Sequence, residues 1–313
     1  FGYARALGTV NVMAHSDSNL TLDLTIDSNS SAICTINGNI VSLLQAGDCV
    51  VNADQAGDTN FNATTQVQRT ITVAHASQTI NLVNPGAKRY LDGDFGIMGS
   101  NDSSLPIAYS LGSATTGFGT ANEVCSVDSQ GIVHVIEVGS CQIVANQSGD
   151  SVYDPAAPVS VTFSIGKALQ GTPLSLNNNN FYTYGDHVQL DSQGGDGTGA
   201  VTFETGPGQD CWIQIGSNVL SGGDAGSACT VRVLKAGDDH YEATTSGFEQ
   251  ITIFQAWQTI TFNSTAPTNA VAFGTYTVSA SSDSGEPVTY SVHSGSSSVC
   301  SLNGTVVTFL AGG

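Results

Sequence analysis

Seven cysteines have the most regular spacing of any residue type in this chain of 313 residues. Six of them form three pairs, which recur at an interval of about ninety residues. No Cys-x-x-Cys spacing, which would favour a metal site, occurs among them. We therefore predict three disulfides, and Cys300 as the first member of a fourth pair, left unpaired because the sequence stops before its partner. The predicted pairs are Cys34–Cys49, Cys125–Cys141 and Cys211–Cys229.

Disulfides persist in oxidising environments such as a periplasm, a cell surface or the extracellular medium. We therefore expect an extracellular or cell-surface location. The sequence contains no apolar run long enough to span a bilayer, so we expect no membrane insertion in this segment. Because the repeat pattern is cut at both ends, we expect a piece from the middle of a longer secreted or surface-anchored polypeptide.

Carboxylates are the second group that could do chemistry, because Ca²⁺ prefers oxygen ligands. The densest acidic positions are Asp92, Asp94, Asp238 and Asp239. No Asp-x-Asp-x-Asp-Gly loop accompanies them, and Asp92 and Asp94 have no counterpart in the other repeats. We expect no cofactor and keep calcium at these four positions as the alternative.

Histidine and tryptophan form no recognisable site in the sequence. The six histidines do not recur between repeats, and no Gly-x-Ser-x-Gly or His-Glu-x-x-His pattern accompanies them, so we predict no enzyme. Trp212 follows Cys211 and is expected on the outer face of its strand, while Trp257 falls at a repeat junction. Trp212 is kept as a weak candidate for ligand binding, and the ligand itself is unknown.

The charge balance excludes two classes of partner. The chain has 7 Lys and Arg against 26 Asp and Glu, which gives a formal net charge of −19. Nucleic acid binding needs a basic face, which is absent here. An anionic membrane surface would also repel the chain. Only 11% of the residues are charged, a composition typical of polar strand faces and turns rather than helix surfaces.

The elements that must position the cysteines are strands. Each second cysteine begins an alternating segment, in which for example Cys49, Val51 and Ala53 share one face. Each first cysteine is followed two positions later by an apolar residue, such as Ile36 after Cys34. Both cysteines therefore point inward, and each bridge is predicted inside the core of a β-sandwich.

A Gly-Asp pair with an aromatic residue three positions after the Asp recurs beyond each second cysteine. The Asp could bind calcium, or it could form a turn by accepting hydrogen bonds from its own backbone, and we favour the turn. The aromatic residue is expected to cap the core. The three copies are Gly57-Asp58 with Phe61, Gly149-Asp150 with Tyr153, and Gly237-Asp238 with Tyr241.

The spacing predicts four repeats that form an elongated rod. Phe1-Gly2 matches Phe95-Gly96, which lies inside a repeat, so the first repeat is expected to lack its first strand. The connections between repeats are short and contain no Gly/Ser-rich or Pro-rich linker, which favours a semi-rigid array. The predicted bounds are 1–75, 76–167, 168–255 and 256–313, the last of which is cut at its C-terminus.

This pattern resembles the bacterial immunoglobulin-like repeats of large cell-surface proteins and adhesins. The likeness covers nearly the whole chain, and repeat three departs from it most. It implies an all-β fold of tandem immunoglobulin-like β-sandwiches with one intradomain disulfide in each complete repeat. It also implies spacing, display or adhesion at a cell surface. The residues that carry it are Cys34-Thr-Ile-Asn-Gly38, Ala46-Gly-Asp-Cys49, Gln55-Ala-Gly-Asp58 with Phe61, and Thr70-Ile-Thr-Val73 leading to Gln78-Thr-Ile80.

The sequence therefore predicts a non-enzymatic stalk or spacer of a bacterial surface adhesin or extracellular fibre. Its expected partners are the neighbouring repeats of the same polypeptide and, in a filament, other copies of the chain. One alternative is a glycan- or protein-binding module, for which repeat three with Trp212 is the candidate. The other is a filament subunit completed by strand exchange between chains.

Overall fold

The computed structural model describes residues 4–117 and 123–312. The outer bounds predicted for the first and last repeats, and the Phe1-Gly2 match, lie outside these residues. Within the described part, the helices are two three-residue 3-10 turns, Ser28–Ser30 and Ser294–Ser296. None of the described residues form a helix long and apolar enough to cross a membrane. The predicted all-β fold is confirmed.

Repeat one is a sandwich of two sheets. One sheet has the strand order β1-β7-β6-β3, in which β1 and β7 are parallel, and the other has the order β2-β5-β4. The two apolar faces meet in a core that includes Val41, Val51 and Ile71. The strands are β1 Ala4–Arg5, β2 Thr9–Asn11, β3 Asp23–Ile26, β4 Cys34–Asn37, β5 Ile40–Leu43, β6 Gly47–Asp54 and β7 Val67–Ala74.

Repeat two has the same two sheets and an additional pair of antiparallel strands. The larger sheet has the order β12-β16-β17-β9, the smaller has β10-β15-β14, and β8 pairs with β11. Ile80 and Leu82 of β8 are buried in the core of this repeat. The strands are β8 Ile80–Leu82, β9 Lys88–Arg89, β10 Phe95–Gly96, β11 Gly99–Asn101, β12 Ala108–Leu111, β13 Thr116–Gly117, β14 Cys125–Val127, β15 Ile132–Val135, β16 Gly139–Asn146 and β17 Val159–Gly166.

Repeat three reproduces this plan with the orders β19-β27-β25-β22, β20-β24-β23 and β18-β21. Its buried side chains include Leu220, Val231 and Ile251. The strands are β18 Ser175–Leu176, β19 Phe181–Thr183, β20 Val188–Gln189, β21 Ser192–Gln193, β22 Val201–Thr205, β23 Cys211–Ile213, β24 Val219–Gly222, β25 Ala228–Lys235, β26 Thr244–Thr245 and β27 Glu249–Phe254.

Repeat four contains a two-stranded and a three-stranded sheet, β28-β30 and β29-β32-β31. Its apolar side chains are largely exposed, and Ile260 and Phe262 of β28 are 56% and 67% exposed. The free cysteine, Cys300, begins β31 and is partly buried. The strands are β28 Ile260–Phe262, β29 Thr275–Thr277, β30 Ala280–Ser282, β31 Cys300–Asn303 and β32 Val306–Phe309.

Each disulfide joins the two sheets of one repeat. In repeat one, Cys34 on β4 is bonded to Cys49 on β6, and both are fully buried. The bridges Cys125–Cys141 and Cys211–Cys229 connect the corresponding strands of repeats two and three. The Cα–Cα distances of 5.8, 6.0 and 6.1 Å fall within the usual disulfide range. One bridge in each of these three repeats agrees with the predicted fold class.

The described residues divide into two compact units. The first is formed by the described residues within Phe1–Thr172, Gly195–Ala200 and Ala236–Thr244, and the second by those within Pro173–Gly194, Val201–Lys235 and Thr245–Gly313. The first unit holds the sandwiches of repeats one and two. The second holds the sandwich of repeat three and the strands of repeat four. The bounds predicted for the individual repeats stay a prediction.

Replacing Cys125 and Cys141 together with alanine should lower the unfolding free energy of repeat two by about 3 kcal/mol, because the bridge restricts the unfolded chain. The change should appear as faster native-state hydrogen exchange throughout β16. The matched control is Cys300→Ala, which removes a thiol that is in no bridge. Equal effects of the two variants on β16 would contradict a stabilising role for the bridge.

Candidate functional site: the linker clasp

The recurrent Gly-Asp turn has the same geometry in all three copies. Asp58 Oδ1 accepts hydrogen bonds from the backbone N–H groups of Asn60 and Phe61, at 2.8 and 2.9 Å. Asp150 Oδ1 accepts the same pair of bonds in repeat two, and Asp238 Oδ1 does so in repeat three. In each copy the N–H of the Asp donates to the carbonyl of the aromatic residue. These aspartates therefore act as turn formers.

Glycine before the Asp is required by a close backbone approach. A Cβ atom at Gly57 or at Gly149 would lie 2.4 Å from the carbonyl oxygen of the aromatic residue, Phe61 or Tyr153. Both glycines also have positive φ angles, of 76° and 74°, which residues with a Cβ atom rarely adopt. The Gly-Asp-x-x-aromatic pattern is thus one compact turn with fixed backbone geometry.

In repeat two this turn holds the segment that enters the repeat. The N–H of Ala76 donates to the Val152 carbonyl at 2.7 Å, and the N–H of Asp154 donates to the Ala76 carbonyl at 2.8 Å. Gln78, which is only 7% exposed, adds a bond from its side-chain amide to the Asp154 carbonyl at 2.7 Å. The entering segment is thereby fixed from two sides.

The same arrangement occurs in repeat three with different side chains. The N–H of Ala168 donates to the His240 carbonyl at 2.8 Å, and the N–H of Glu242 donates to the Ala168 carbonyl at 2.9 Å. The amide of Gln170 donates to the Glu242 carbonyl at 2.8 Å. We use the name linker clasp for three parts together: the turn, the entering Ala-x-Gln segment, and a carboxylate that binds this segment.

The third part of the clasp is a carboxylate that the sequence reasoning missed. Asp102 accepts from the backbone N–H of Thr79 at 2.9 Å and from its hydroxyl at 3.1 Å. Asp196 binds Thr172 in the same way, at 3.0 and 2.7 Å. Asp283 Oδ1 accepts the N–H of Thr259, at 2.9 Å. The N–H of Thr79 holds the pKa of Asp102 below its ordinary value.

A signal for this carboxylate does exist in the sequence. Tyr109 pairs with Ala145 on the central strand of repeat two, and Asp102 precedes Tyr109 by seven residues. In repeat one, Leu24 pairs with the equivalent Ala53, and Asp17 precedes Leu24 by the same interval. Asp17 is therefore the clasp carboxylate position of repeat one. Finding this recurrence needs the strand register, which the cysteine spacing alone does not supply.

The clasp of repeat two also contacts repeat one. The Ala46 N–H donates to the Ser151 carbonyl at 2.9 Å. Val152 and Ala76 pack against the apolar core of repeat one. Arg5 Nη1 donates to the Ser77 hydroxyl at 3.1 Å. The turn thus binds its own entering segment and the preceding sandwich at the same time.

The clasp of repeat three makes polar and aromatic contacts with repeat two. His240 Nε2 lies 2.9 Å from Glu137 Oε2, and the ring of Tyr90 lies 4.5 Å from the His240 ring, between centroids. The Lys167 ammonium donates to the Asp238 carbonyl. Although partial burial acts to raise it, the Val138 N–H and His240 hold the pKa of Glu137 below its ordinary value. His240 therefore occupies the position in the clasp of repeat three that Val152 occupies in the clasp of repeat two, and both residues contact the preceding repeat.

The four calcium candidates are distributed over different contacts. Asp92 accepts the Arg89 N–H at 2.8 Å, and Asp94 lies 2.7 Å from His134 Nδ1. Asp238 is bound by the turn and by Thr198, while the exposed Asp239 makes no hydrogen bond within the described part of the chain. Among the described residues, no three His, Cys, Asp or Glu side chains are grouped closely enough to hold a metal ion.

The other candidate residues are separate from the clasp turns. Trp212 is 55% exposed on β23, and its ring lies close to Gly222 of the neighbouring strand. Trp257 is 99% exposed, and the two rings make no contact with each other within the described residues. His187 Nδ1 lies 2.7 Å from the Ser221 hydroxyl, but Ser221 is 1% exposed, so a substrate could not reach this hydroxyl.

Two sheets packed face to face and joined by one bridge define the class: the chain is a tandem array of immunoglobulin-like β-sandwiches. The bridged strands are separated in sequence by a single strand, as β4 and β6 are by β5. No protein family model matches the chain. No curated protein sequence matches it either.

Solved structures with related architecture are only distantly similar to the chain. Drosophila N-cadherin EC1-4 is 10% identical, with a TM-score of 0.29 over 81% of this chain and 71% of that chain. Sidekick-1 immunoglobulin domains 1-4 is 10% identical, with a TM-score of 0.31 over 82% and 73%. Surface layer protein SbsC, domains 1-6, is 13% identical, with a TM-score of 0.29 over 98% and 47%. These values carry no argument about function, and the fold assignment depends on the sheets and bridges above.

Replacing Asp238 with alanine should open the clasp of repeat three, because the N–H groups of Thr198, His240 and Tyr241 lose their acceptor. Exchange of these amides should become about five- to tenfold faster, as for a lost helix cap. Asp239→Ala is the matched control and should leave them unchanged. If calcium instead slows the exchange of these amides in the parent chain, and both variants abolish that effect, then Asp238 and Asp239 bind the ion.

Acid should weaken the clasp of repeat two. Because the folded-state pKa of Asp102 lies below its ordinary value of 3.8, its stabilising effect is complete above that pH and is lost as the pH falls further. The thermal stability of repeat two should therefore drop as the pH falls below 3.8. Asp102→Asn should be less stable at pH 5 and should show a smaller drop. An identical pH profile in both proteins would contradict this role.

Proposed function

We propose that the chain is a non-enzymatic structural spacer in a surface adhesin or extracellular fibre of a bacterium. The observation that carries the proposal is the recurrence of the clasp at two successive linkers. In both, a turn of fixed geometry binds the entering segment and contacts the preceding repeat. Such a device limits bending between repeats, which is the property that a spacer needs.

The disulfides support the same proposal. Each one connects the two sheets of a sandwich, so a pulled repeat could separate its sheets only as far as the bridge allows. Persistent bridges also favour a location outside the cell. The neighbouring repeats of the same polypeptide are then its main partners.

The described side chains give enzyme activity little support. The closest approach to a catalytic pair is Ser221 with His187, and its hydroxyl is buried. His75, His134 and His240 are each beside a carboxylate at the surface or in a clasp. The alternative of glycan binding has the half-exposed ring of Trp212 as its support.

The spacer proposal predicts a narrow distance distribution between repeats one and two. The distribution can be measured by pulsed electron paramagnetic resonance between two spin labels. The labels are attached to cysteines introduced at Thr35 and Gln130, in a Cys300→Ala background with the bridges intact. Gln78→Ala removes the side-chain bond that holds the entering segment, so clasp opening should rise about tenfold and broaden the distribution.

Gln170→Ala is the matched control, because it removes the equivalent bond from the other clasp. It should leave the Thr35–Gln130 distribution as it is in the parent chain. A broad distribution in the parent chain would show that the linker bends freely, and would overturn the spacer proposal.

A further inference from the structure

Repeat three carries an exposed aromatic ring on the outer face of its smaller sheet. Trp212 on β23 lies directly opposite Ser221 on β24, and its side chain is 55% exposed. A Cβ atom at Gly222, which has a φ angle of 80°, would overlap the six-membered part of the indole. The ring therefore packs against the backbone of Gly222 on one side, while more than half of its surface stays open to solvent.

This arrangement is specific to repeat three. In repeats one and two, the position of the tryptophan holds a small hydroxyl residue, and the position of the glycine holds an apolar residue that packs in the core. Repeat three has therefore exchanged a core side chain for a glycine that admits the indole, and glycine within a strand often marks such a close approach. The equivalent positions are Thr35 and Leu43 in repeat one, and Ser126 and Val135 in repeat two.

Two polar side chains next to the ring are held by a buried hydroxyl group. The hydroxyl of Ser221, which is 1% exposed, accepts a hydrogen bond from the carboxamide of Gln214 at 2.8 Å. The same oxygen lies 2.7 Å from His187 Nδ1. A hydroxyl has one hydrogen to donate, and among the described residues His187 Nδ1 is the acceptor within reach. Ser221 thus fixes the orientation of both side chains.

This orientation leaves one donor and one acceptor free. Because Nδ1 of His187 accepts the hydrogen of Ser221, the neutral imidazole carries its own hydrogen on Nε2. Neither this Nε2 nor the Oε1 atom of Gln214 makes a hydrogen bond within the described part of the chain. His187 is exposed, and Gln214 is partly buried. The face therefore presents an aromatic ring, an N–H donor and a carbonyl acceptor that are already oriented.

The chemistry of these three groups suits a neutral sugar. The C–H groups on one face of a pyranose carry partial positive charge and pack on the negative face of an indole, and its hydroxyls both donate and accept hydrogen bonds. The strands β20, β23 and β24 contain no Asp, Glu, Lys or Arg, so they offer no charge to an ionic ligand. The net charge of −19 also disfavours acidic glycans.

The dimensions of this face favour a saccharide over a protein. β24 lies between β20 and β23, so the two outer strands are about 10 Å apart. β24 is the longest of the three, and its four residues span about 13 Å. A stable protein interface covers roughly 800 Å² on each partner, far more than this face provides. A disaccharide fits within it.

We propose that the outer face of β20, β24 and β23 in repeat three binds a neutral carbohydrate chain. One pyranose ring packs on the indole of Trp212. Its hydroxyls, or those of the next sugar, accept from Nε2–H of His187 and donate to Oε1 of Gln214. This binding is additional to the spacer role. None of the three side chains belongs to a linker clasp, so either role can fail without the other.

Tryptophan fluorescence tests the site directly. The chain has two tryptophans, so Trp257→Phe leaves Trp212 as the single reporter. The neutral probes are cellotetraose, mannotetraose and galactotetraose, and the acidic probe is tetragalacturonate. At least one neutral probe should bind with a dissociation constant of about 1 mM or tighter. Bound probe should shift the emission of Trp212 to shorter wavelength and protect it from acrylamide quenching, and tetragalacturonate should do neither.

Variants of the full chain identify the contacts by isothermal titration calorimetry. Trp212→Ala should weaken binding about tenfold or more, whereas Trp257→Ala, which removes the other exposed indole, should leave it unchanged. Gln214→Ala and His187→Ala should each weaken it about fivefold, as expected for one lost hydrogen bond. Gln130→Ala is the matched control, because it removes an exposed glutamine of repeat two, and it should have no effect.

Amide exchange along β25 shows whether each variant keeps the sandwich of repeat three. Trp212→Phe retains an aromatic face, so it should bind more tightly than Trp212→Ala and serves as the test if the alanine variant unfolds. The proposal is wrong if no neutral probe binds, if tetragalacturonate binds equally well, or if Trp212→Ala keeps its fold and the parent affinity. Self-association of the chain that Trp212→Ala abolishes would show that the face binds protein, and would also overturn the proposal.

Discussion

The disulfide between the two sheets of repeats one, two and three is the constraint on which the other features of these repeats depend. A sandwich of this size has a small core, and a bridge compensates by restricting the unfolded chain. In repeat two, Cys141 lies on β16, and the same strand leads directly into the turn at Gly149 and Asp150. The bridge therefore also fixes the strand that delivers the clasp.

The excess of aspartate has a structural use in this fold. Asp58, Asp150 and Asp238 close the turns, while Asp102 and Asp283 receive the backbone N–H of the entering segments. A carboxylate bound by two or three N–H groups is stabilised in its charged form, which explains the lowered pKa of Asp238, held chiefly by the Thr198 N–H. The high negative charge therefore does not by itself indicate a cation site.

The all-β fold with one bridge in each complete repeat could be predicted from the sequence, because the cysteine-bearing strands and the turn have local signatures. Alternation around Cys49 and the Gly-Asp spacing depend on residues close together in the chain. The clasp was not predictable in the same way, since Ala76 and Tyr153 meet through a parallel bridge across most of a repeat. The carboxylates at Asp17 and Asp102 escaped notice because the segments between them and the cysteines differ in length.

The two clasps share one backbone design but differ in the side chain that they present to the preceding repeat. In repeat two this is Val152, which packs against an apolar core, and in repeat three it is His240, which pairs with Glu137. Exchanging them would place a valine beside the partly buried Glu137 and an imidazole against the apolar core. Both changes leave polar groups without partners. The backbone therefore provides a common joint, and the residue that it presents differs with the surface that it contacts in the preceding repeat.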